Sequence, residues 1–218
     1  MKKIIIFVSI YLFFSAAVFC VVGQLNSSLS SANEKKESLS KIQELMRQVL
    51  KQADSGNRIE LWASLINRGN VYVGFDLDKH KTILYKLRAT GLYAEEFVEN
   101  FNQIVLFYDK MLRDGELEWF TGELIPLANG ANPWCKCQDV PYDEPCPWEN
   151  IEVEITKLTN TTAEAVWRWG LLRSDSPWNE FPYHFRAVKE NGKWKISYLE
   201  GFDLFHKDII QNAEKLNQ

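Results

Sequence analysis

Only three of the 218 residues are histidine and four are cysteine. The chain has no G-x-S-x-G elbow, no H-E-x-x-H, no C-x-x-C and no phosphate-cradling glycine-rich loop. The local signatures of serine hydrolases, zinc peptidases, thioredoxin-like enzymes and nucleotide-binding loops are therefore missing. A basic excess is missing too. There are 25 Lys and Arg against 29 Asp and Glu, a formal net charge of −4. A general nucleic-acid binder needs the opposite sign, so no nucleic-acid partner is expected. Glycine (11) and proline (7) are too few for a fibrous or low-complexity chain. What is abundant is apolar and aromatic material: 46% hydrophobic residues, with eight Trp, eight Tyr and 13 Phe. That is enough for one globular core, and the length fits a single domain.

The first residues read as an address. Lys2 and Lys3 precede a run from Ile4 to Val22 without a charge. Such a run serves as the core of a signal peptide or as a membrane anchor. Val21 and Gly23 suit the −3 and −1 positions of a cleavage site, which places the cut before Gln24. Export across a bacterial inner membrane is the leading expectation, to the periplasm or outer envelope, with an uncleaved N-terminal anchor as the rival. Lipidation at Cys20 is a third reading, disfavoured by the bulky Phe19 before it. Residues 1–23 are thus read as a signal peptide, 24–38 as a polar flexible linker, and 39–218 as one domain. Asn26 and Asn160 head N-x-S/T triplets, which carry little weight beside a bacterial leader.

The domain begins with helical periods. Leu39, Ile42, Leu45, Met46, Val49, Leu50 and Ala53 form one stripe. A second helical stretch is predicted over Ile59 to Ile66, ending at Gly69. Val71 to Phe75 reads as a short strand. Asp78 is read as the cap of a helix through Ala89, and His80 as solvated; a rim pair of Asp76 and Asp78 near His80 is the alternative. Ala94 to Leu112 is the longest helix, with Phe97, Phe101, Ile104, Val105, Tyr108 and Leu112 inward.

The period then changes to two. Ile151 to Ile155 and Ala163 to Leu172 alternate, as do Tyr183 to Val188 and Trp194 to Leu199. Glu190-Asn191-Gly192-Lys193 is a hairpin turn. Asp203 is read as capping a last helix through Leu216. Helices followed by an antiparallel meander make an α+β fold, with N-terminal helices packed on a curved sheet and a C-terminal helix. Trp167 and Trp169, Tyr183 and Phe185, and Trp194, Ile196 and Tyr198 are each expected on one strand face. Aligned, they give one aromatic sheet surface against the helices. Arg168, His184, Arg186 and Lys195 fall on the opposite face, which is either wet or in contact with a partner.

The element order, and above all the stretch from Phe181 to Leu199 with its Gly-Lys-Trp-Lys-Ile ending, resembles the nuclear transport factor 2-like superfamily, the cystatin-like α+β roll. The segment Trp134-Cys-Lys-Cys-Gln-Asp is similar to bacterial secreted proteins of unknown function with this roll. The resemblance spans roughly residues 39 to 202 and departs in the loop between 120 and 150. It implies a sheet wrapped on a long helix around a conical pocket, and a possible homodimer through the open sheet face. Members include isomerases and dehydratases as well as binding domains, so the fold does not fix an activity.

Three cysteines, Cys135, Cys137 and Cys146, lie in a proline-rich loop. In an oxidising compartment two should pair; Cys137–Cys146 and Cys135–Cys146 rank above Cys135–Cys137, whose short ring suggests strain. The C-x-C-x8-C spacing matches no common zinc module, so no metal and no cofactor is expected. Glu200 is the one carboxylate placed near the aromatic face. The reading is an exported, envelope-associated binding or interaction module, without a catalytic residue. Its ligand residues are Trp167, Trp169, Tyr183, Phe185, Trp194, Tyr198 and Tyr108, and its partner is a small apolar ligand or another envelope protein. Two alternatives stay open: an isomerase or dehydratase using a pocket carboxylate or His, and a periplasmic immunity or inhibitor protein.

Overall fold

The computed structural model describes residues 33–53, 59–124, 126–127, 130–137, 147–170, 176, 178 and 181–203. The leader, Cys146, His206 and the helix expected after Asp203 lie outside the described residues. The chain divides into two compact units, residues 1–41 and 42–218. In the first, residues 33–41 are helical, with Lys41 Nζ 2.6 Å from Glu37 across one helical turn. The helical residues thus begin before Leu39, where the apolar stripe starts.

The second unit opens with helix α1, residues 42–53, and continues with strands β1 (Leu65–Arg68) and β2 (Val71–Phe75). Helices α2 (Leu77–Thr90) and α3 (Glu95–Arg113) follow, then strands β3 (Ile151–Leu158), β4 (Thr162–Trp169), β5 (Tyr183–Glu190) and β6 (Lys193–Leu199). The last four form an antiparallel sheet in sequential order, and β1 and β2 form a separate hairpin. The architecture is α+β, as the two periods in the sequence require.

The helix predicted over Ile59 to Ile66 is not formed. Residues 61–64 make a turn, and β1 starts at Leu65. An eight-residue stretch is too short to hold a helix without tertiary support. The Gly69-Asn70 turn, with Gly69 at φ 66°, instead folds it onto β2, which pairs Leu65 with Phe75. The cap of α2 also differs from the expectation. Asp76, not Asp78, is the N-cap, accepting hydrogen bonds from the N–H groups of Asp78 and Lys79 at 3.1 and 2.9 Å. Gly91 closes the helix in the left-handed conformation.

Both edges of the four-stranded sheet are covered. Gln43 and Arg47 of α1 donate to the carbonyls of Val153 and Ile151 on β3. On the other side the segment 92–94 runs along β6, with Ile196 N–H donating to Leu92 O and Ala94 N–H to Ile196 O, both at 2.8 Å. Edge groups paired in this way offer no template for aggregation. Helix α3 packs against β2, β6 and α2. Its end is fixed by a buried carboxylate. Asp109 Oδ1 accepts from Phe75 N–H at 2.7 Å and from Arg113 Nε at 2.8 Å, while Arg113 Nη2 donates to Phe75 O at 2.9 Å. Gly74 (φ 143°) makes room: a Cβ there would lie 2.9 Å from Asp109 Oδ1.

His80, expected in solvent, is buried between α2 and α3. Its ring stacks on Phe101 and its Nε2 lies 3.1 Å from Asn102 Oδ1. Nδ1 has no hydrogen-bond partner among the described residues. Its place on the inward stripe with Ile83, Leu84 and Leu87 explains the burial. Desolvation lowers its pKa, partly offset by Asn102. The unfolded imidazole protonates near its usual value of about 6.5, and the folded one resists. His80 therefore leaves stability intact above that pH and drains it as the pH falls toward the lower folded value. Urea denaturation at pH 7.5 and pH 5 is expected to show a larger loss for the native chain than for His80→Gln. Equal losses would refute the assignment.

Candidate functional site: a cleft beside the cysteine loop

The residues read from the sequence as ligand-binding mostly meet each other. Trp167, Trp169, Tyr183, Phe185 and Trp194 are all buried on the helix-facing side of the sheet, with Trp167 and Phe185 only 1% exposed. Trp167 lies 5.1 Å from Trp169 and 5.5 Å from Tyr183, ring centre to ring centre. Phe101 and Val105 of α3 are fully buried. Side chains enclosed to this degree are what a close-packed core contains. Tyr108, also buried, donates its hydroxyl to the carbonyl of Pro126.

Tyr198 departs from that face. The β5–β6 register slips between Arg186 and Ala187, so that Ala187 pairs with Ile196 but Arg186 with Tyr198. Ser197 is the extra residue of a bulge, which turns every later side chain over. Leu199 takes the core position opposite Phe185. Tyr198 goes to the outer face, under the Arg186 guanidinium at 4.8 Å, with its hydroxyl donating to Asp203. Its pKa is pushed up to about 12, first by burial and then by the Asp203 charge.

The outer face otherwise carries the polar residues expected there. Arg168 Nη1 lies 3.0 Å from Glu154 Oε2 on the neighbouring strand, and Lys195 Nζ 2.9 Å from Glu190 Oε2. His184 is exposed.

The cysteine loop is the most constrained segment outside regular structure. The Asn132 side chain accepts from Trp134 N–H at 3.1 Å, the Asn132 carbonyl accepts from Lys136 N–H at 2.6 Å, and Asn132 N–H donates to Cys137 O at 3.0 Å. Lys136 takes the left-handed conformation (φ 51°). This fold brings the Cα atoms of Cys135 and Cys137 to 5.1 Å, and the two cysteines are disulfide-bonded. The ranking read from the sequence is thereby corrected: the shortest ring forms. A three-residue turn through a left-handed centre meets the usual Cα separation of about 4.4–6.8 Å, which an extended Cys-Lys-Cys would exceed.

The loop is docked on the end of the sheet. Trp134 packs among Phe202, Tyr93 and Phe97 at 4.7, 5.6 and 6.0 Å. The Tyr183 hydroxyl donates to Pro133 O at 2.8 Å and accepts from Gly201 N–H at 3.1 Å. Lys136 Nζ lies 2.5 Å from Glu200 Oε1, and His184 N–H donates to Glu200 Oε2. Burial pushes the Glu200 carboxyl up, but Lys136 and the His184 N–H more than offset this and leave it below its ordinary value. A general base poised near neutrality needs the reverse shift. The carboxylate singled out from the sequence is instead an anchor for the loop.

Beside this loop lies a solvent-open cleft of about 350 Å3. Its described walls are Ala53, Glu60, Leu61 and Trp62 on one side and Gly130 through Trp134 on the other. Trp62 is half-buried and held edge-on by Tyr108 and Trp119, at 5.4 and 5.2 Å. The sequence reading missed Glu60, Leu61 and Trp62, which sit in the stretch expected to be helical.

Among the described residues no group of three or more His, Cys, Asp and Glu is arranged to hold a metal, and no helix is long and apolar enough to cross a membrane.

Closing so short a ring limits what the disulfide contributes. The loop-entropy relation gives about 1–2 kcal/mol for a three-residue loop. Urea denaturation with and without reductant, on a Cys146→Ser background, is expected to differ by that amount. A loss above about 4 kcal/mol would mean that the bridge holds the whole domain. Compared with family models, with curated proteins and with solved structures, the chain has no match.

Proposed function

We propose that this is an exported, envelope-facing α+β roll that binds a small ligand or a partner group without covalent chemistry, and that it does so in the cleft between residues 60–62 and 130–134. The observation that carries this reading is the contrast between two apolar regions. The aromatic residues on the helix-facing side of the sheet are buried, as in a filled core. The cleft is open, has a half-buried tryptophan on its wall, and is held in shape by a disulfide, an ion pair and a shared tyrosine hydroxyl. Its volume falls at the low end of the usual range for small-molecule sites, about 300–1,000 Å3. Rigid walls lower the ordering cost of binding. The titratable groups suggested by the sequence serve the fold elsewhere: Asp76 caps α2, His80 is enclosed, and Glu200 is tied to Lys136.

The export signal belongs to the same reading, since an oxidising compartment lets the Cys135–Cys137 bridge persist. A fragment library screened by indole and amide NMR shifts tests the proposal. Hits are expected to gather at Trp62, Ala131 and Trp134. A library whose hits all fall elsewhere would reject the cleft as the binding site.

A further inference from the structure

We propose that the Cys135–Cys137 bridge is a thiol–disulfide exchange site whose partner is a dithiol. The proposal goes beyond the cleft and does not depend on it. The two cysteines are unequally placed. Cys135 is buried, whereas Cys137 is only half-buried and follows the exposed Lys136. Cys137 is thus the one open to an attacking thiolate. Exchange also needs a reduced state that keeps the fold. A bridge spanning three residues removes little chain entropy from the unfolded state. By linkage the folded chain favours the closed bridge by the same small factor, about 5–30-fold. Structural bridges of exported proteins lie beyond the reach of the glutathione pool, and this one lacks the long loop that would put it there.

The loop has other anchors. Trp134 packs on Phe202, Pro133 O accepts from the Tyr183 hydroxyl, Lys136 Nζ pairs with Glu200, and Asn132 N–H donates to Cys137 O. None of these contacts involves a sulfur. The buried sulfur is provided for as well. Cys135 Sγ lies 3.8 Å from the carbonyl oxygens of Asn132 and Cys137, which become acceptors for its S–H once the bridge opens. In the exchange, a thiolate of the partner attacks Cys137 Sγ and the Sγ–Sγ bond breaks. The electron pair leaves on Cys135 Sγ, which takes a proton from water. The partner's second thiolate then attacks the partner sulfur of the mixed disulfide and releases Cys137 as a thiolate, which takes the second proton. Two electrons and two protons pass to the chain, and the partner departs as a disulfide.

The test uses the full chain with Cys20→Ser and Cys146→Ser, so that only the two bridge sulfurs react. Dithiothreitol is expected to reduce the folded chain at a rate within about tenfold of that in urea. Slowing beyond this, toward the roughly thousandfold or more of a bridge reached only through global unfolding, overturns the proposal. In glutathione buffers of graded ratio, thiol trapping and mass spectrometry should find both dithiol and disulfide forms. A chain that stays oxidised in a large excess of reduced glutathione carries a fixed staple. The reduced chain should keep its near-ultraviolet circular dichroism, and loss of that signal would show that the bridge holds the domain, which also overturns the proposal. These three measurements leave the bridge residues intact, so they stand even where a bridge variant fails to fold. Two such variants assign the attacked sulfur. Cys135→Ser leaves Cys137 alone and should form a mixed disulfide with oxidised glutathione at least about tenfold faster than Cys137→Ser, which leaves the buried Cys135. Equal or reversed rates overturn the assignment of Cys137. None of these readouts depends on the cleft, which the fragment screen judges independently.

Discussion

Gly201→Ala is expected to release the cysteine loop from the sheet and to cost at least about 2 kcal/mol. A Cβ at Gly201 would lie 2.0 Å from Pro133 O, 2.7 Å from Pro133 C and 2.8 Å from Pro133 Cα. All three belong to backbone, so no side-chain rotation relieves the clash. The loop must move away, and with it goes the bond from the Tyr183 hydroxyl to Pro133 O. That hydroxyl is wholly buried, and burial already holds its pKa well above the ordinary value. Losing its acceptor adds an unsatisfied buried group, worth about 1–3 kcal/mol. Trp134 is drawn out of its place beside Phe202. The variant should therefore lose cleft binding as well as stability. Gly192→Ala is the control. It sits in the β5–β6 turn at φ 77° with nothing within 4 Å of a Cβ. Its cost is the left-handed penalty alone, about 1–2 kcal/mol, and the cleft should be untouched. Urea denaturation paired with fragment binding separates the two. A Gly201→Ala protein with native stability and native cleft binding would show that the loop does not rest on the sheet.

The second large effect is at the centre of the sheet. Trp167→Ala is expected to cost about 3–5 kcal/mol, a large fraction of the total stability of a typical domain. Trp167 is 1% exposed and touches Trp169 and Tyr183. Its Nε1 has no hydrogen-bond partner among the described residues. Trp167→Phe thus gives up volume but no hydrogen bond, and should cost clearly less. If Trp167 instead lined an empty pocket, truncation to alanine would cost under about 1 kcal/mol and would change ligand affinity. Denaturation midpoints of the two variants decide between these outcomes.

Much of the fold was legible because its signals are local. The apolar stripe within Ala94 to Leu112 gives α3, Glu95–Arg113, within a residue at each end. Asn191 (φ 50°) and Gly192 (φ 77°) both take the left-handed conformation that a two-residue hairpin turn demands. What was missed depends on tertiary contacts. Nothing in Lys193 to Leu199 announces a bulge at Ser197, so Tyr198 was assigned to the wrong face. The stretch around Trp62 has helical spacing, and only its pairing with β2 makes Leu65 to Arg68 a strand. The Cys135–Cys137 bridge was ranked last because ring size was weighed without the left-handed turn at Lys136 that accommodates it. The aromatic residues were recognised as one surface, but a pattern of apolar residues cannot tell a lined pocket from a filled core. The cleft joins two segments some seventy residues apart, and no window of sequence contains it.

The account turns on the sheet–helix interface being solid while the cleft by the cysteine loop is open. Xenon enters dry apolar cavities and leaves close-packed interiors empty. Diffraction from crystals pressurised with xenon is expected to show no atom between α3 and the faces of Trp167, Phe185 and Ile196. Xenon bound there, against Phe101 and Trp167, would contradict the account and return the ligand site to the centre of the sheet.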